Sequence, residues 1–307
     1  MLKRAKNRVI YHLVMALVWL VRRLPLALAR ACGRLLGLVA WQVAGRERRR
    51  ALSNLARAGV GGGGRVVRRM FRHLGMSAIE CVLMGRFRGR LGTDQSPVCF
   101  SEGSRERLLA LVAEGRGVLY ATAHLGNWEL MAAEVARWAP VTVLAKPSYD
   151  ERFSSFIRDF RSANRVRSIS VAGPHLRQVL EALRKGEVVG VLLDQPVPTG
   201  CRVSFFGQPA WTSSIVARLH RSTGAPVVCG TIHRDPVDEH SHVISIHSVS
   251  MDKTWTVEQG TQAITTHLET AVRQHPEQWA WSLDRWRSTE TNVLSSPTAN
   301  SIPASND

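Results

Sequence analysis

The chain has 307 residues, 45% of them hydrophobic, which is enough for one large α/β domain or two small ones and argues against disorder over most of its length. Its formal net charge of +17 is lopsided: residues 1–72 carry 17 Lys and Arg against a single acid, Glu47, while the remainder is nearly neutral. A basic N-terminal quarter ahead of a nearly neutral body suits contact with nucleic acid or with anionic lipid, and its apolar content decides between the two.

Residues 9–21 form a 13-residue apolar run, preceded by Lys3, Arg4, Lys6 and Arg8 and followed by Arg22 and Arg23. Residues 24–44 are also apolar, interrupted by Arg30 and Arg34. A nucleic-acid-binding arm does not carry Leu, Val and Trp at this density, so nucleic acid is excluded as the partner. The first run is shorter than the ~20 residues that span a bilayer as a helix. Residues 1–45 are therefore expected to be helices that lie in or dip into a membrane surface, their arginines reaching for lipid phosphates; the plainer alternative is a helix pair packed on the core. Ala27-Leu28-Ala29 resembles a signal cleavage site, but Arg22 and Arg23 break the apolar run and the pattern continues beyond it. Uncleaved attachment at the cytoplasmic face is the expectation.

Residues 1–58 thus read as an anchoring module. Gly59-Val-Gly-Gly-Gly-Gly64 follows; no Gly-Lys-Ser/Thr comes after it, so it reads as a flexible turn rather than a phosphate loop. Residues 65–287 read as the main domain, and residues 288–307, rich in Ser, Thr, Asn and Pro, as a disordered tail. Helical spacing marks 65–88 and 104–114. Apolar runs at 117–123, 141–145, 188–193 and 227–232 and a period-two stretch at 242–247 then alternate with helical patterns at 128–138, 150–163, 174–185 and 212–223, with a last helix near 256–274. That alternation predicts an α/β fold with a mostly parallel central sheet flanked by helices. Cys32, Cys81, Cys99, Cys201 and Cys229 have no C-x-x-C spacing and read as reduced thiols that behave as small hydrophobes.

The most reactive-looking segment is His124-Leu-Gly-Asn-Trp-Glu129. It follows an apolar strand and opens a helix, and ligands in such sheets sit beyond the C-terminal strand ends. Positions five apart lie about 140° apart on a regular helix. Gly126 relieves this if His124 ends the strand and Glu129 enters the first helical turn, where Gly126 or Asn127 caps the helix. Glu129 is then expected to hold one ring nitrogen while the other takes a proton from a hydroxyl.

This segment resembles the His-x4-Asp/Glu motif of bacterial acyltransferases, and specifically the lipid A biosynthesis acyltransferase family of lauroyl and myristoyl transferases. The resemblance covers most of residues 10–287. It includes Arg49 to Asn54-Leu55, Ala145-Lys-Pro147, Leu193-Asp-Gln-Pro196, Phe205-Phe-Gly207 through Thr212, and His275-Pro-Glu-Gln-Trp279 through Arg285-Trp286. It implies a glycerolipid-acyltransferase-like fold with membrane-associated N-terminal helices. It implies acyl transfer from an acyl-carrier-protein thioester to a hydroxyl of a lipid A precursor at the inner membrane's cytoplasmic face, by a monomer with no metal or cofactor. His124 would be the base and Glu129 its partner; Arg161, Asp194, Asn127 and Lys146 would be substrate-binding residues, Arg161 and Lys146 as grips for a phosphate.

The resemblance leaves the acceptor open, since Gly-Asn-Trp after the histidine also occurs in acyltransferases for mannosylated phosphoinositide. A lysophospholipid acyltransferase would carry a downstream Glu-Gly-Thr-type phosphate motif, which this sequence lacks. A membrane-docked lipid-binding protein without catalysis is the alternative from another class.

Overall fold

The fold was obtained as a computed structural model that describes residues 2–286 apart from 149, 173, 174 and 253; the expected C-terminal tail lies outside the described residues. Four helices come first: α1 (Leu2–Val21), α2 (Leu26–Val43), α3 (Gly45–Arg57) and α4 (Gly63–Phe87). Pro25, with no amide hydrogen to continue α1, sits just before the first residue of α2. The α/β body then runs β1 (Val98–Phe100), α5 (Ser104–Ala113), β2 (Val118–Thr122), α6 (Trp128–Val135), β3 (Val141–Ala145), α7 (Glu151–Ala163), β4 (Val166–Ser170), α8 (His175–Arg184) and β5 (Val188–Leu192). It closes with β6 (Pro196–Phe205), β7 (Gln208–Thr212), α9 (Ile215–Thr223), β8 (Val227–Arg234), β9 (His242–Ser248) and α10 (Val257–Gln274).

Seven strands form one sheet in the order β1-β9-β8-β2-β5-β3-β4, and β6 pairs with β7 in a separate antiparallel hairpin. All sheet neighbours are parallel except β8 and β9. β2 lies inside the sheet with every residue buried, which is why it reads as an unbroken apolar run. One face of the sheet packs Leu119, Ala121, Val189, Val191 and Cys229 against α8, α9, α10 and the tryptophans of the C-terminal segment. The other packs Tyr120, Val118, Val188 and Ile246 against α4, α5 and α6. α10 starts at a full capping box, in which Thr256 Oγ accepts from the Gln259 amide and Gln259 accepts from the Thr256 amide.

The basic N-terminal module is not detached from this body. Ala51 and Leu55 of α3 are buried in the same core as Trp281. α2 lies so close to α4 that a Cβ on Gly37 would sit 2.4 Å from the Phe71 carbonyl oxygen, and one on Gly75 would sit 2.4 Å from the Gly33 oxygen. Backbone meets backbone here because neither helix has a side chain in the way. The opposite surfaces are apolar and open to solvent: Leu13, Leu17 and Trp19 on α1, and Leu28, Leu35 and Val43 on α2, are exposed. Among the described residues α2 alone is long and apolar enough to cross a membrane.

Gly37→Leu is expected to push α2 from α4 and destabilise the protein by about 1–3 kcal/mol or more, read as a lower thermal midpoint and faster proteolysis within residues 1–44. Gly85→Ala, at a helical position with nothing within 4 Å of the added Cβ, is expected to leave both unchanged; equal behaviour of the two variants would remove the tight-packing account.

Candidate functional site

β2 and β5 are adjacent and parallel, with Thr122 opposite Leu192. The Leu193 amide continues the ladder by donating to the Thr122 carbonyl at 2.9 Å. The next residue of each strand extension therefore arrives at the same edge of the sheet: His124 from β2 and Asp194 from β5. Asp194 Oδ1 lies 2.8 Å from His124 Nδ1, and its Oδ2 accepts from the His124 backbone amide at 2.7 Å and from the Trp279 indole at 2.8 Å. Asp194 is 2% exposed, so its charge is held by these donors rather than by water. With Nδ1–H donated to the carboxylate, the ring presents a lone pair at Nε2, which has no hydrogen-bond partner among the described residues. The ring packs edge-on against Trp128, with centroids 4.8 Å apart.

Burial pushes the His124 imidazole down, but the charge and hydrogen bond of Asp194, aided by the charge of Glu129, outweigh it and raise the group above its ordinary range. Burial pushes the Asp194 carboxyl up, and the charge and hydrogen bonds of His124, with the indole of Trp279, override that and hold it below the usual carboxylate range.

The expectation that Glu129 orients the imidazole is corrected by this geometry. Gly126 adopts φ +60°, a left-handed turn, and Asn127 caps α6 by accepting from the Leu130 amide at 3.1 Å. Glu129 therefore stands in the first turn of α6, where it meets α7 instead of β2. There it takes both oxygens to Arg161, at 3.0 Å from Nε and 2.5 Å from Nη2. This fork-to-fork pair is largely buried, with side chains 14% and 17% exposed. Asp194, expected to bind substrate, is instead the partner of His124. Asn127 also has a structural task, donating from Nδ2 to Glu80 at 2.9 Å.

Glu129 and Arg161 are the charged residues among those lining an apolar slot between Tyr120, Met131, Val143 and Val188, with an envelope of about 540 Å³ including its opening. Arg161 also lines a second groove at the C-terminal ends of β3 and β4, shared with Lys146, Arg158, Glu151, Ser148 and Ser170. Lys146 and Arg161 thus come together in one groove, whereas Lys146 makes no contact with His124.

Several supporting residues escaped the sequence reading. The C-terminal segment after α10 forms an antiparallel bridge with the His124 loop, in which the Ala280 amide donates to the His124 carbonyl at 3.1 Å and the Gly126 amide donates to the Gln278 carbonyl at 3.0 Å. A Cβ on Gly126 would lie 2.2 Å from the Ile232 carbonyl oxygen, so only glycine fits between β8 and this segment. Behind Asn127, Glu80 of α4 pairs through both oxygens with Arg234, which is 2% exposed. Arg285, buried over the Phe205 ring, donates to the Trp211 carbonyl and Thr212, and burial pushes it down to about 10 against the raising field of Asp194. The available signal was a charged residue within an apolar helical face, as at Glu80 beside Ile79 and Leu83. No group of three or more His, Cys, Asp or Glu side chains suited to a metal ion occurs among the described residues.

A family model described as bacterial lipid A biosynthesis acyltransferase matches residues 2–288. Phosphatidylinositol mannoside acyltransferases from two strains of Mycobacterium tuberculosis, CDC 1551 / Oshkosh and ATCC 25618 / H37Rv, are each 28% identical over 131 residues. That similarity spans 41% of this chain and 42% of each relative, so well under half of the relatives' length is matched.

The paired ring and carboxylate make a measurable claim. By proton NMR, the His124 ring is expected to titrate above the ordinary 6.5, and Asp194→Asn is expected to bring it down, because the imidazolium then loses its main stabilising charge. A titration unmoved by Asp194→Asn would mean that the carboxylate is not coupled to the ring.

Proposed function

Because the chain belongs to the bacterial lipid A biosynthesis acyltransferase family, we propose that it moves a fatty acyl chain from an acyl-carrier-protein thioester to a hydroxyl of a lipid A precursor, at the cytoplasmic face of the inner membrane. The observation that carries this reading is the His124–Asp194 pair standing at the strand ends beside an apolar slot. His124 Nε2 takes the proton of the acceptor hydroxyl as its oxygen attacks the thioester carbonyl. Asp194 fixes the tautomer and stabilises the imidazolium that forms. Collapse of the tetrahedral intermediate breaks the C–S bond, and the departing sulfur takes the proton back from Nε2. The products are an ester and a free thiol, and His124 returns to its starting state.

The slot supplies an apolar place for the acyl tail, close to the base because Trp128 both lines the slot and packs on the His124 ring. The Glu129–Arg161 pair in its lining keeps a fixed charge arrangement beside the reacting carbonyl. Arg158 and Arg161 of the adjoining groove are paired with Glu151 and Glu129, which leaves Lys146 as the cation there to meet an acceptor phosphate. The exposed apolar faces of α1 and α2, set among arginines, suit attachment to a lipid surface.

A second acceptor is favoured by one observation, the similarity to phosphatidylinositol mannoside acyltransferases: a mannosylated phosphoinositide offers the same combination of hydroxyl and phosphate.

Mass spectrometry of the lipid fraction, with and without the protein, is expected to show one added acyl chain on lipid A; an added chain on a different glycolipid would select the second acceptor, and no added chain would sink both. His124→Ala is expected to lower turnover at least ~100-fold while the protein still folds. Since the base must be neutral and its affinity for the proton is raised, turnover should climb with pH through a value above 6.5, and Asp194→Asn should both slow turnover and move that limb to lower pH. Lys146→Ala should raise the KM for the acceptor with little change in kcat. Wild-type turnover in His124→Ala would leave the lipid-binding reading in place of the enzyme.

A further inference from the structure

A second cavity lies on the far side of Glu80 from the His124 loop, between the N-terminal end of α2, the C-terminal half of α4 and the turn joining β8 to β9, with an envelope of about 710 Å³. Its walls divide by chemistry. Met76, Leu83 and Leu130 form an apolar floor, while Arg30, Arg86 and Arg90 bring three guanidinium groups to it. Among the described residues the one acid that lines it, Glu80, is already committed to Arg234, Asn127 and His242. Asp238, on the flanking turn, is the other acid whose field reaches Arg30. It is engaged by the Ser241 hydroxyl and the His240 amide.

Arg30 and Arg90 have no side-chain hydrogen-bond partner among the described residues, and Arg86 donates to the Arg22 carbonyl. The decisive feature is His242. Its side chain is 1% exposed and lines this cavity; Nε2 stands 3.3 Å from a Glu80 oxygen as an ion-pair contact, while Nδ1 has no hydrogen-bond partner among the described residues. A buried ring nitrogen left without a partner is costly unless something completes it. An anion in this cavity would meet Arg30, Arg90 and the His242 edge together.

The surroundings favour an amphiphile. Leu26 lines the cavity and is also one of the exposed apolar residues of α2. Val237, at the tip of the turn that supplies His240, is 95% exposed. Leu26 thus brings the exposed apolar face of α2 to a cavity that also carries cationic side chains.

We propose that this cavity binds the phosphate head group of an anionic lipid, at a site separate from the His124 centre and whatever the acceptor there. Arg30 and Arg90 hold the phosphate oxygens, and the lipid chains lie along Leu26 and the exposed face of α2. The site shares one wall with the catalytic loop, because Glu80 binds Asn127, the cap of α6.

The test is calorimetric titration of the full chain in neutral detergent with dihexanoyl phosphatidate, dihexanoyl phosphatidylcholine or inorganic phosphate. Phosphatidate is expected to bind, the zwitterionic lipid and inorganic phosphate much more weakly. Arg30→Gln/Arg90→Gln, which keeps most of each stem, is expected to weaken phosphatidate binding by about ten-fold or more. One control is expected to bind as wild type: Lys6→Ala/Arg8→Ala, which removes the same charge from α1. Wild-type affinity in the Arg30/Arg90 variant would overturn the proposal, as would equal weakening in Lys6→Ala/Arg8→Ala, which marks diffuse attraction. Inorganic phosphate binding as tightly as phosphatidate would remove the lipid from the site. Should the double variant melt early, Arg90→Ala alone, at an exposed position, is expected to give a smaller loss in the same direction, and no loss there would count against the site.

Discussion

Everything at the edge of the sheet that carries His124 rests on the parallel pairing of β2 with β5. Once Thr122 lies opposite Leu192, His124 and Asp194 have little freedom about where to be, and the carboxylate receives the His124 amide as well as its ring. A one-residue slip would turn every side chain of one strand to the opposite face. The alternating burial of the two sheet faces against separate helix layers is what forbids that slip. The apolar packing thus has a chemical effect: it fixes the distance between an imidazole and its counter-charge without any loop having to be ordered for the purpose.

Charge is then buried in layers behind this pair. Asp194 is supported by Trp279, and the His124 loop by the backbone of the same C-terminal segment. Gln278 binds both the amide and the carbonyl of Arg234, Arg234 binds Glu80, and Glu80 binds the cap of α6. Such buried ion pairs contribute little net stability, because desolvation offsets most of their attraction. Their effect here is on geometry. Each member has its position set by two or three others from distant parts of the chain, so the turn through Gly126 is specified from several sides at once.

Much of the architecture was legible because the chemistry of burial writes itself into spacing. The run at 117–123 is unbroken because β2 has neighbours on both sides and helices on both faces, and the helices of the body carry clear apolar stripes. β4 was not legible: it is an edge strand whose Arg167 and Ser170 face solvent. The β6–β7 hairpin was missed because Pro196, Pro198, Gly200 and Pro209 disguise it as a loop. His124 was legible from its place at a strand end. Its partner was not, because sequence shows that two strands end in polar residues but not that the strands are neighbours. Spacing favoured Glu129, five residues away, over Asp194, seventy residues away. In the structure, sheet order brings the distant residue to the ring and sends the nearer one to Arg161.

The support that Trp279 and its neighbours give to the His124 loop has a consequence for the order of synthesis. The ribosome delivers α1 and α2, with their bare apolar faces, long before it delivers the segment that bridges Leu125 and holds Asp194. His124 and Asp194 both emerge while the indole that completes their hydrogen bonding is still untranslated. The apolar, cationic helices α1 and α2 are therefore complete well before the edge that carries His124, and the imidazole stays unbraced until the C-terminal segment arrives.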